Sequence, residues 1–373
     1  LLLMKHLMDQ EISHYFGMNL IDFPIRDNAN IIQGNALRLD WADIVPPEQL
    51  DYIIGNPPFV GARVMSAEQK ADLLHVFGDT KNAGNLDFVA SWYRKAADLM
   101  KNHNIRAALV STNSITQGEQ AAILWKPLLR EGVKIDFAYR TFKWSNEARG
   151  NAAVHCVIIG FSLGGAAREK WLFDGGVRQV VRNINPYLVD APDILVESQS
   201  KPICDVPAIG IGNKPIDGGN YLFTKDEMIA FISQEPEAKQ YFRPWYGATE
   251  FIYKQPRYFL YLHDCPIGVL RGMPLAYERV VAVRKFRAAS KSGSTQAIAD
   301  RPTAFHVTNI PNGEYLLLPR HSTENREYIP IGFMPSSALS GDANLVIATD
   351  SLYVFGVLTS SAHMAWMRTV AGR

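Results

Sequence analysis

Strand-like and helix-like segments alternate along the first 165 residues of this 373-residue chain. Short apolar runs predict strands, and longer segments with apolar residues three or four positions apart predict helices. The predicted strands are 30–33, 52–54, 105–111, 134–140 and 153–161, and the predicted helices are 1–16, 86–100 and 119–130. This alternation indicates a mostly parallel α/β sheet. The last two strands, which no helix separates, predict an antiparallel pair at one edge.

The pattern changes at Gly164-Gly165, where we expect a domain boundary. Residues 166–345 contain many prolines and glycines, and their short apolar segments predict a second, β-rich domain. Examples of these predicted strands are Trp171–Phe173, Tyr258–Leu262 and Tyr315–Leu318. An apolar helical pattern returns over residues 351–370. We therefore expect an α/β domain over 1–165, a β-rich domain over 166–345 and the start of a helical region over 346–373.

The composition is that of an ordinary globular protein, with 47% hydrophobic and 20% charged residues. No run approaches the length of a membrane span, so none is expected. The three cysteines lie far apart and suggest neither a disulfide framework nor a zinc site, which favours a cytoplasmic location. The histidines also lack ligand spacing, so no metal site is predicted. A net charge of +1 neither requires nor excludes a nucleic acid partner.

The segment most informative about chemistry is Asp51–Phe59, in which a predicted buried strand runs directly into Asn56-Pro57-Pro58-Phe59. In open α/β sheets, ligands bind beyond the carboxyl ends of the strands. The two prolines fix the backbone and remove two N–H donors, which leaves local carbonyls pointing outward. Asn56 adds a side-chain oxygen that accepts hydrogen bonds. The segment thus offers two acceptors beside an aromatic face.

Two acceptors beside an aromatic ring suit methylation of a nucleobase amine. They can take both N–H hydrogens of the amine and draw its nitrogen toward tetrahedral geometry, which frees the lone pair to attack a methyl group. The alternative is an ordinary proline-rich turn after a strand. Asn-Pro-Pro-aromatic is expected by chance in a chain of this length only on the order of once in a few hundred sequences. We therefore favour the catalytic interpretation.

Asn56-Pro57-Pro58-Phe59 resembles, residue by residue, the catalytic motif of class I S-adenosylmethionine-dependent DNA adenine-N6 methyltransferases. The resemblance implies a Rossmann-like sheet, S-adenosylmethionine as cofactor and double-stranded DNA as substrate. It also implies that the target adenine is flipped out of the duplex, and that a target-recognition domain follows the catalytic one.

Three further segments match the same family in order. Ile31–Leu37 resembles the segment beside the cofactor adenine, which implies that Asn35 and Ala36 bind the cofactor. Asn85–Phe88 resembles the start of a helix that lines the cofactor pocket, which implies the same for Leu86 and Asp87. The third segment, Thr141–Glu147, resembles the motif whose aromatic residue stacks on the flipped-out base. Phe142 and Trp144 are both candidates for that stacking, and the choice between them stays open.

The chain departs from the family at its N-terminus, because no Gly-x-Gly precedes Asn56 and no strand-end acid for the cofactor ribose is found. The resemblance implies that Leu1 lies in the helix that follows that acid. We therefore expect the first strands of the sheet to be missing and the chain to be a fragment of a longer protein. We also expect the chain alone to bind S-adenosylmethionine weakly or not at all.

A closer resemblance is to fused type II restriction–modification enzymes of the MmeI type. It rests on Arg140–Ala148, Leu317–Arg326 and Trp366–Arg368, which are less specific than the catalytic tetrapeptide. The resemblance implies that an endonuclease domain belongs to the same parent polypeptide.

DNA contacts are predicted in the basic segment Arg279–Arg301, which holds six basic residues and one acid. Such residues suit phosphate contacts, which set affinity and register. The predicted contacts are Arg284, Lys285, Arg287, Lys291, Arg301 and Arg326. The alternative is a solvated surface helix followed by a loop. His321–Arg326 and Ser336–Asp342 are candidates for base readout or, equally, plain loops.

Aromatic residues between 245 and 261 show strand spacing and predict core packing. They are Trp245, Tyr246, Phe251, Tyr253, Tyr258 and Tyr261. Two other functions stay open for the chain as a whole. A protein-glutamine methyltransferase uses the same tetrapeptide, but the long region after residue 165 argues against it. The other is a DNA-specificity module without catalysis. The intact Asn56–Phe59 argues against that for the parent protein, whereas the fragment alone is expected to be inactive.

Overall fold

The structure is a computed structural model that describes residues 30–144, 154–164, 169–323 and 326–371. The predicted helix 1–16 and the segments Ser145–Ala153 and Glu324-Asn325 lie outside the described residues. The chain divides into two compact units, Leu1–Val196 and Glu197–Arg373. This division falls later than the boundary predicted at residue 165.

The first unit is built on a six-stranded sheet with the order β1-β2-β4-β3-β5-β6. Its strands are β1 (Tyr52–Gly55), β2 (Arg106–Thr112), β3 (Val133–Trp144), β4 (Val154–Leu163), β5 (Lys170–Asp174) and β6 (Val177–Val181). Its helices are α1 (Ala67–Phe77), α2 (Ala90–Leu99) and α3 (Gly118–Arg130), with 3-10 turns at Pro47–Gln49, Ala83–Asn85 and Asn113–Thr116. The strands and helices predicted between residues 52 and 161 are therefore confirmed, with small shifts at their ends. The predicted burial of the strand 52–54 is wrong, because β1 is the end strand of this sheet among the described residues, and Tyr52 is 63% and Ile54 82% exposed.

The core of the first unit forms where α2 and α3 cover one face of the sheet. Tyr93 of α2, Trp125 of α3 and Phe161 of β4 are fully buried. The rings of Tyr93 and Phe161 stack with centroids 5.3 Å apart. β2 alternates buried and half-buried side chains along its length, because successive residues of a strand point to opposite faces. These contacts fix α2 and α3 against the strands that carry the predicted site.

Three further predictions about the first unit are wrong. Residues 30–33 form no strand, and Ile31 is 87% exposed. A strand needs a hydrogen-bonding partner as well as an apolar run, and the described residues provide none for this segment. The β3–β4 pair is antiparallel as predicted but lies inside the sheet, because β5 pairs with β3. Trp171–Phe173 therefore belongs to β5 of this first sheet and not to the second domain.

The second unit holds two four-stranded sheets, with the orders β13-β9-β10-β8 and β12-β11-β14-β7. Its strands are β7 (Ile209–Ile211), β8 (Leu222–Phe223), β9 (Phe242–Tyr246), β10 (Arg257–Leu260), β11 (Tyr315–Pro319), β12 (Gly332–Met334), β13 (Leu339–Ser340) and β14 (Asn344–Ile347). Its helices are α4 (Lys225–Gln234), α5 (Ala248–Tyr253), α6 (Ile267–Arg271), α7 (Pro274–Ala288), α8 (Gly293–Gln296), α9 (Leu352–Leu358) and α10 (Ser361–Val370), with a 3-10 turn at Pro236–Tyr241. The predicted strands near 258 and 315 and the C-terminal helical pattern are confirmed.

The aromatic residues of the second unit follow the prediction only in part. Trp245 is buried and stacks on Phe259 with centroids 5.0 Å apart. Phe251 packs against a smaller core cluster. Tyr253, however, is 66% exposed. Both Phe251 and Tyr253 lie on the short helix α5, so strand spacing was the wrong pattern for them. No helix in the described part of the chain is long and apolar enough to cross a membrane.

Candidate active site

The ends of three strands meet at one edge of the first sheet. β1 pairs with β2 in parallel, and β4 runs antiparallel to both β2 and β3, so β1, β2 and β3 all point the same way. We call the edge formed by the C-terminal ends of these three strands the carboxyl edge. Ligands of open α/β sheets bind at such an edge. The predicted catalytic and base-stacking segments both lie there.

The predicted catalytic tetrapeptide directly follows β1. Asn56 and Pro58 are exposed, Pro57 is buried, and the half-buried ring of Phe59 packs against the core. β1 ends here because Pro57 and Pro58 have no N–H to continue the ladder with β2. The Asn56 amide therefore reaches solvent from a backbone that the buried proline and the packed ring hold in place. It is free to accept hydrogen bonds from a ligand at the carboxyl edge.

The two candidate stacking residues lie at the end of β3. Phe142 pairs with Cys156 of β4, which in turn pairs with Thr112 at the end of β2. The Phe142 and Trp144 rings have centroids 6.1 Å apart and are tilted by 40°. Phe142 is half-buried, and Trp144 is 40% exposed. β3 lies three strand spacings from β1, about 14 Å at the usual spacing of neighbouring strands. The two predicted segments thus lie at the same edge, separated by β2 and β4.

Asp87 lies just before α2 and is buried, with 5% exposure. Its Oδ1 accepts hydrogen bonds from the Ala62 backbone N–H at 3.3 Å and from Gln120 Nε2 at 3.2 Å. Its Oδ2 accepts one from the Thr112 hydroxyl at 2.7 Å. Thr112 and Gln120 were not predicted from the sequence. The position of Thr112 at the end of a predicted strand was a usable signal, whereas nothing local marks Gln120.

The predicted cofactor residues are largely engaged within the protein. Asn35 accepts from the Leu37 N–H at 3.0 Å and donates to Asp72 at 2.7 Å. Burial of Asp72 opposes its ionisation, but hydrogen bonds from Asn35 and Arg38 outweigh this and lower its pKa. The Ala36 carbonyl accepts from the indole N–H of Trp41.

Leu86 is fully buried, and both carboxylate oxygens of Asp87 are already hydrogen-bonded. The donors and acceptors of Asn35, Ala36, Leu86 and Asp87 are therefore mostly used internally. These residues do not by themselves fit a complete S-adenosylmethionine site.

The predicted DNA contacts separate into two classes. The exposed ones are Arg284, Lys285, Lys291 and Arg301, and Arg326 is half-buried. Arg287 is 1% exposed and donates five hydrogen bonds to backbone carbonyls. Its prediction as a DNA contact is wrong, because its donors are spent inside the unit.

The two segments considered for base readout also differ. His321–Thr323 is exposed. Ser340, in contrast, lies in β13 and is 1% exposed. The Ser336 and Ser337 carbonyls accept from Arg243. Much of Ser336–Asp342 is therefore structural and not a free polar loop.

Both units of the chain match known protein families. Residues 1–174 match the family described as MmeI, DNA-methyltransferase domain, and residues 190–373 match the family described as MmeI, target recognition domain. The chain belongs to the MmeI family. The MmeI methyltransferase model covers the residues of the carboxyl edge, and the target recognition model covers the basic segment Arg279–Arg301.

Two relatives align with nearly the whole chain. A solved structure of the Type IIL restriction-modification enzyme MmeI in complex with DNA is 44% identical, with a TM-score of 0.86 over 100% of this chain and 50% of that chain. A DNA methyltransferase A from Bacillus subtilis (strain 168) is 37% identical over 99% of this chain and 42% of its own length. The chain thus spans half or less of each relative.

Proposed function

We propose that the full-length protein transfers a methyl group from S-adenosylmethionine to adenine N6 at a specific site in double-stranded DNA, as part of a restriction–modification enzyme. The proposal rests on one observation, the exposed Asn56 amide at the carboxyl edge. Phe142 and Trp144 lie at the same edge. The match to the MmeI target recognition domain favours DNA over a protein substrate. S-adenosylmethionine supplies the electrophilic methyl group when it is bound.

In this mechanism the chain's own residues bind and orient the amine. The Asn56 side-chain oxygen and the Pro57 carbonyl accept the two N–H hydrogens of the flipped-out adenine. The nitrogen loses conjugation with the ring, and its lone pair becomes available to form the new bond to the methyl carbon, while the methyl–sulfur bond breaks with its electrons left on the sulfur. One of the two N–H protons is lost to solvent after the transfer. Phe59, together with Phe142 or Trp144, stacks on the base and offsets part of the unstacking cost of about a few kcal/mol.

Replacing Asn56 with alanine tests the proposal in the full-length protein. We expect Asn56→Ala to lower the rate of methylation by at least about 100-fold, because the amine is no longer oriented. DNA affinity should change little, since phosphate contacts supply most of it. Transfer of labelled methyl groups and mass spectrometry of the nucleosides measure the rate and identify N6-methyladenine, and fluorescence anisotropy measures DNA binding.

Asn104→Ala is the matched control, since Asn104 is exposed just before β2 at the opposite edge of the sheet. It should methylate as the wild type does. Full activity of Asn56→Ala, or methylation of a protein glutamine by the wild type, would contradict the proposal. Loss of DNA binding by a folded Asn56→Ala would show that Asn56 has a different role.

A further inference from the structure

The carboxylate of Asp87 joins three separate segments at the carboxyl edge. It accepts from Ala62 in the loop after the catalytic tetrapeptide, from Thr112 at the end of β2, and from Gln120 in the first turn of α3. We propose that Asp87 is a positioning residue that fixes the catalytic loop Asn56–Ala62 relative to the strand ends. The inference rests on the proposed function, since it assigns Asp87 a part in the same methylation site.

The loop is held to the chain around Asp87 at two neighbouring points. The Phe88 N–H donates to the Val60 carbonyl at 2.9 Å, and the Ala62 N–H donates to Asp87 Oδ1 at 3.3 Å. Phe59 and Val60 also pack against the core. The loop therefore cannot shift as a unit without breaking the contact that Ala62, six residues beyond Asn56, makes with Asp87.

The other contacts of Asp87 fix it in turn. Gln120 makes two hydrogen bonds to it, since its Oε1 accepts from the Asp87 N–H at 2.9 Å while its Nε2 donates to the carboxylate. The Thr112 hydroxyl binds Oδ2 at 2.7 Å. Thr112 also occupies the register row that contains Cys156 and Phe142. Asp87 therefore links the loop that carries Asn56 to the row of paired residues that carries Phe142.

This network argues against a direct contact between Asp87 and the cofactor. The carboxylate is buried, and both of its oxygens are already engaged by groups of the protein. A cofactor hydroxyl would have to displace one of these donors. Misplacing a reacting group by about 1 Å costs up to about 100-fold in rate, so a residue that holds the loop acts on kcat more than on binding.

The test compares two substitutions of Asp87 in the full-length protein. Asp87→Leu should lower kcat for DNA methylation by about 10- to 100-fold, with the dissociation constants for S-adenosylmethionine and DNA nearly unchanged. Asp87→Asn keeps an oxygen for the Ala62 N–H and an amide that can donate to the Thr112 hydroxyl, so it should recover most of kcat. Hydrogen exchange should be faster at the Ala62 amide in Asp87→Leu and unchanged in the strands.

Two substitutions at Thr112 disturb the fold less than Asp87→Leu and serve as a second test. Thr112→Val removes a single hydrogen bond and should lower kcat less than Asp87→Leu, whereas Thr112→Ser should behave as the wild type. Glu119→Gln, an exposed acid beside Gln120, is the control and should change nothing.

Two results would overturn the inference. One is a weaker affinity of Asp87→Leu for S-adenosylmethionine with kcat retained at saturation. The other is equal loss in Asp87→Asn and Asp87→Leu together with faster exchange throughout the unit. If the wild type does not methylate DNA, the proposed function is refuted instead. Hydrogen exchange at the Ala62 amide in Asp87→Leu then still decides whether Asp87 holds the loop.

Discussion

Two arginines on α7, three positions apart, have opposite environments. Arg284 is exposed, whereas Arg287 is buried, and its guanidinium binds five carbonyls that include those of Pro215 and Ile216. Ile216 has a φ of 49°, which is costly for a β-branched residue. Burial lowers the pKa of Arg287, but an arginine stays charged near neutral pH because its ordinary value is so high. Arg287 thus holds a strained turn beneath the helix that carries the basic side chains.

Substituting each arginine separates stability from DNA affinity. Arg287→Lys should lower the free energy of unfolding by about 2–3 kcal/mol, since lysine cannot reproduce a planar fork that binds several carbonyls. Arg284→Ala should leave stability within about 0.5 kcal/mol of the wild type. If Arg284 contacts a phosphate, it should also reduce the slope of log affinity against log salt by about 1. Chemical unfolding and anisotropy titrations at several salt concentrations check both. An unchanged stability in Arg287→Lys would contradict the structural role.

At the scale of elements, α2 is tied to the end of α3 by a group of charged side chains. Arg94 of α2 donates to both carboxylate oxygens of Glu131 at 2.7 Å and to Asp98 Oδ2 at 2.9 Å. Lys101 bridges the same two acids. Hydrogen bonding from Arg94 lowers the pKa of Glu131 below its usual value, against the opposing effect of burial. These contacts hold the helix that begins just after Asp87 against the helix that carries Gln120.

The lowered pKa of Glu131 predicts how the stability of this helix pair depends on pH. Stability from a depressed carboxylate is fully present above its unfolded pKa of about 4.3 and is lost as the pH falls through the lower folded value. Arg94→Met should remove most of that acid-dependent part, since Lys101 still pairs with Glu131, and should cost about 1 kcal/mol at neutral pH, a modest figure because the acids are partly exposed. Thermal unfolding from pH 7 to pH 3 checks this. Arg130→Met, an exposed arginine of α3, is the control and should keep the wild-type pH dependence.

At the scale of the whole molecule, the two units match the two domains of the MmeI family, each with its own buried core. The proposed catalytic tetrapeptide and the hydrogen bonds around Asp87 belong entirely to the first unit. The basic segment and Arg287 belong entirely to the second. Under the proposed function, Asn56 and the aromatic pair that would orient the adenine lie in the first unit, whereas the described residues proposed for the cofactor, Asn35, Ala36, Leu86 and Asp87, are largely engaged within the protein.

This difference predicts the binding behaviour of the 373-residue chain on its own. We expect it to bind S-adenosylmethionine weakly or not at all, since Asn35, Ala36, Leu86 and Asp87 are engaged internally. Isothermal titration calorimetry of the isolated chain measures this directly, with the full-length protein as the positive control. Micromolar affinity for the isolated chain would refute the expectation.

The sequence by itself determined the features that depend on neighbouring residues. An apolar strand that runs into two prolines must end there, so the position of Asn56 at a strand end followed from local chemistry. The strands and helices between 52 and 161 and the helices after 351 followed from periodicity in the same way. Only the tertiary structure decided which partner each segment finds. Among the described residues it gave 30–33 no partner strand. It also added Trp171–Phe173 to the first sheet, buried Arg287 beside exposed Arg284, and brought Thr112 and Gln120 to Asp87. Pairing and burial depend on residues distant in the chain, and no local pattern encodes them.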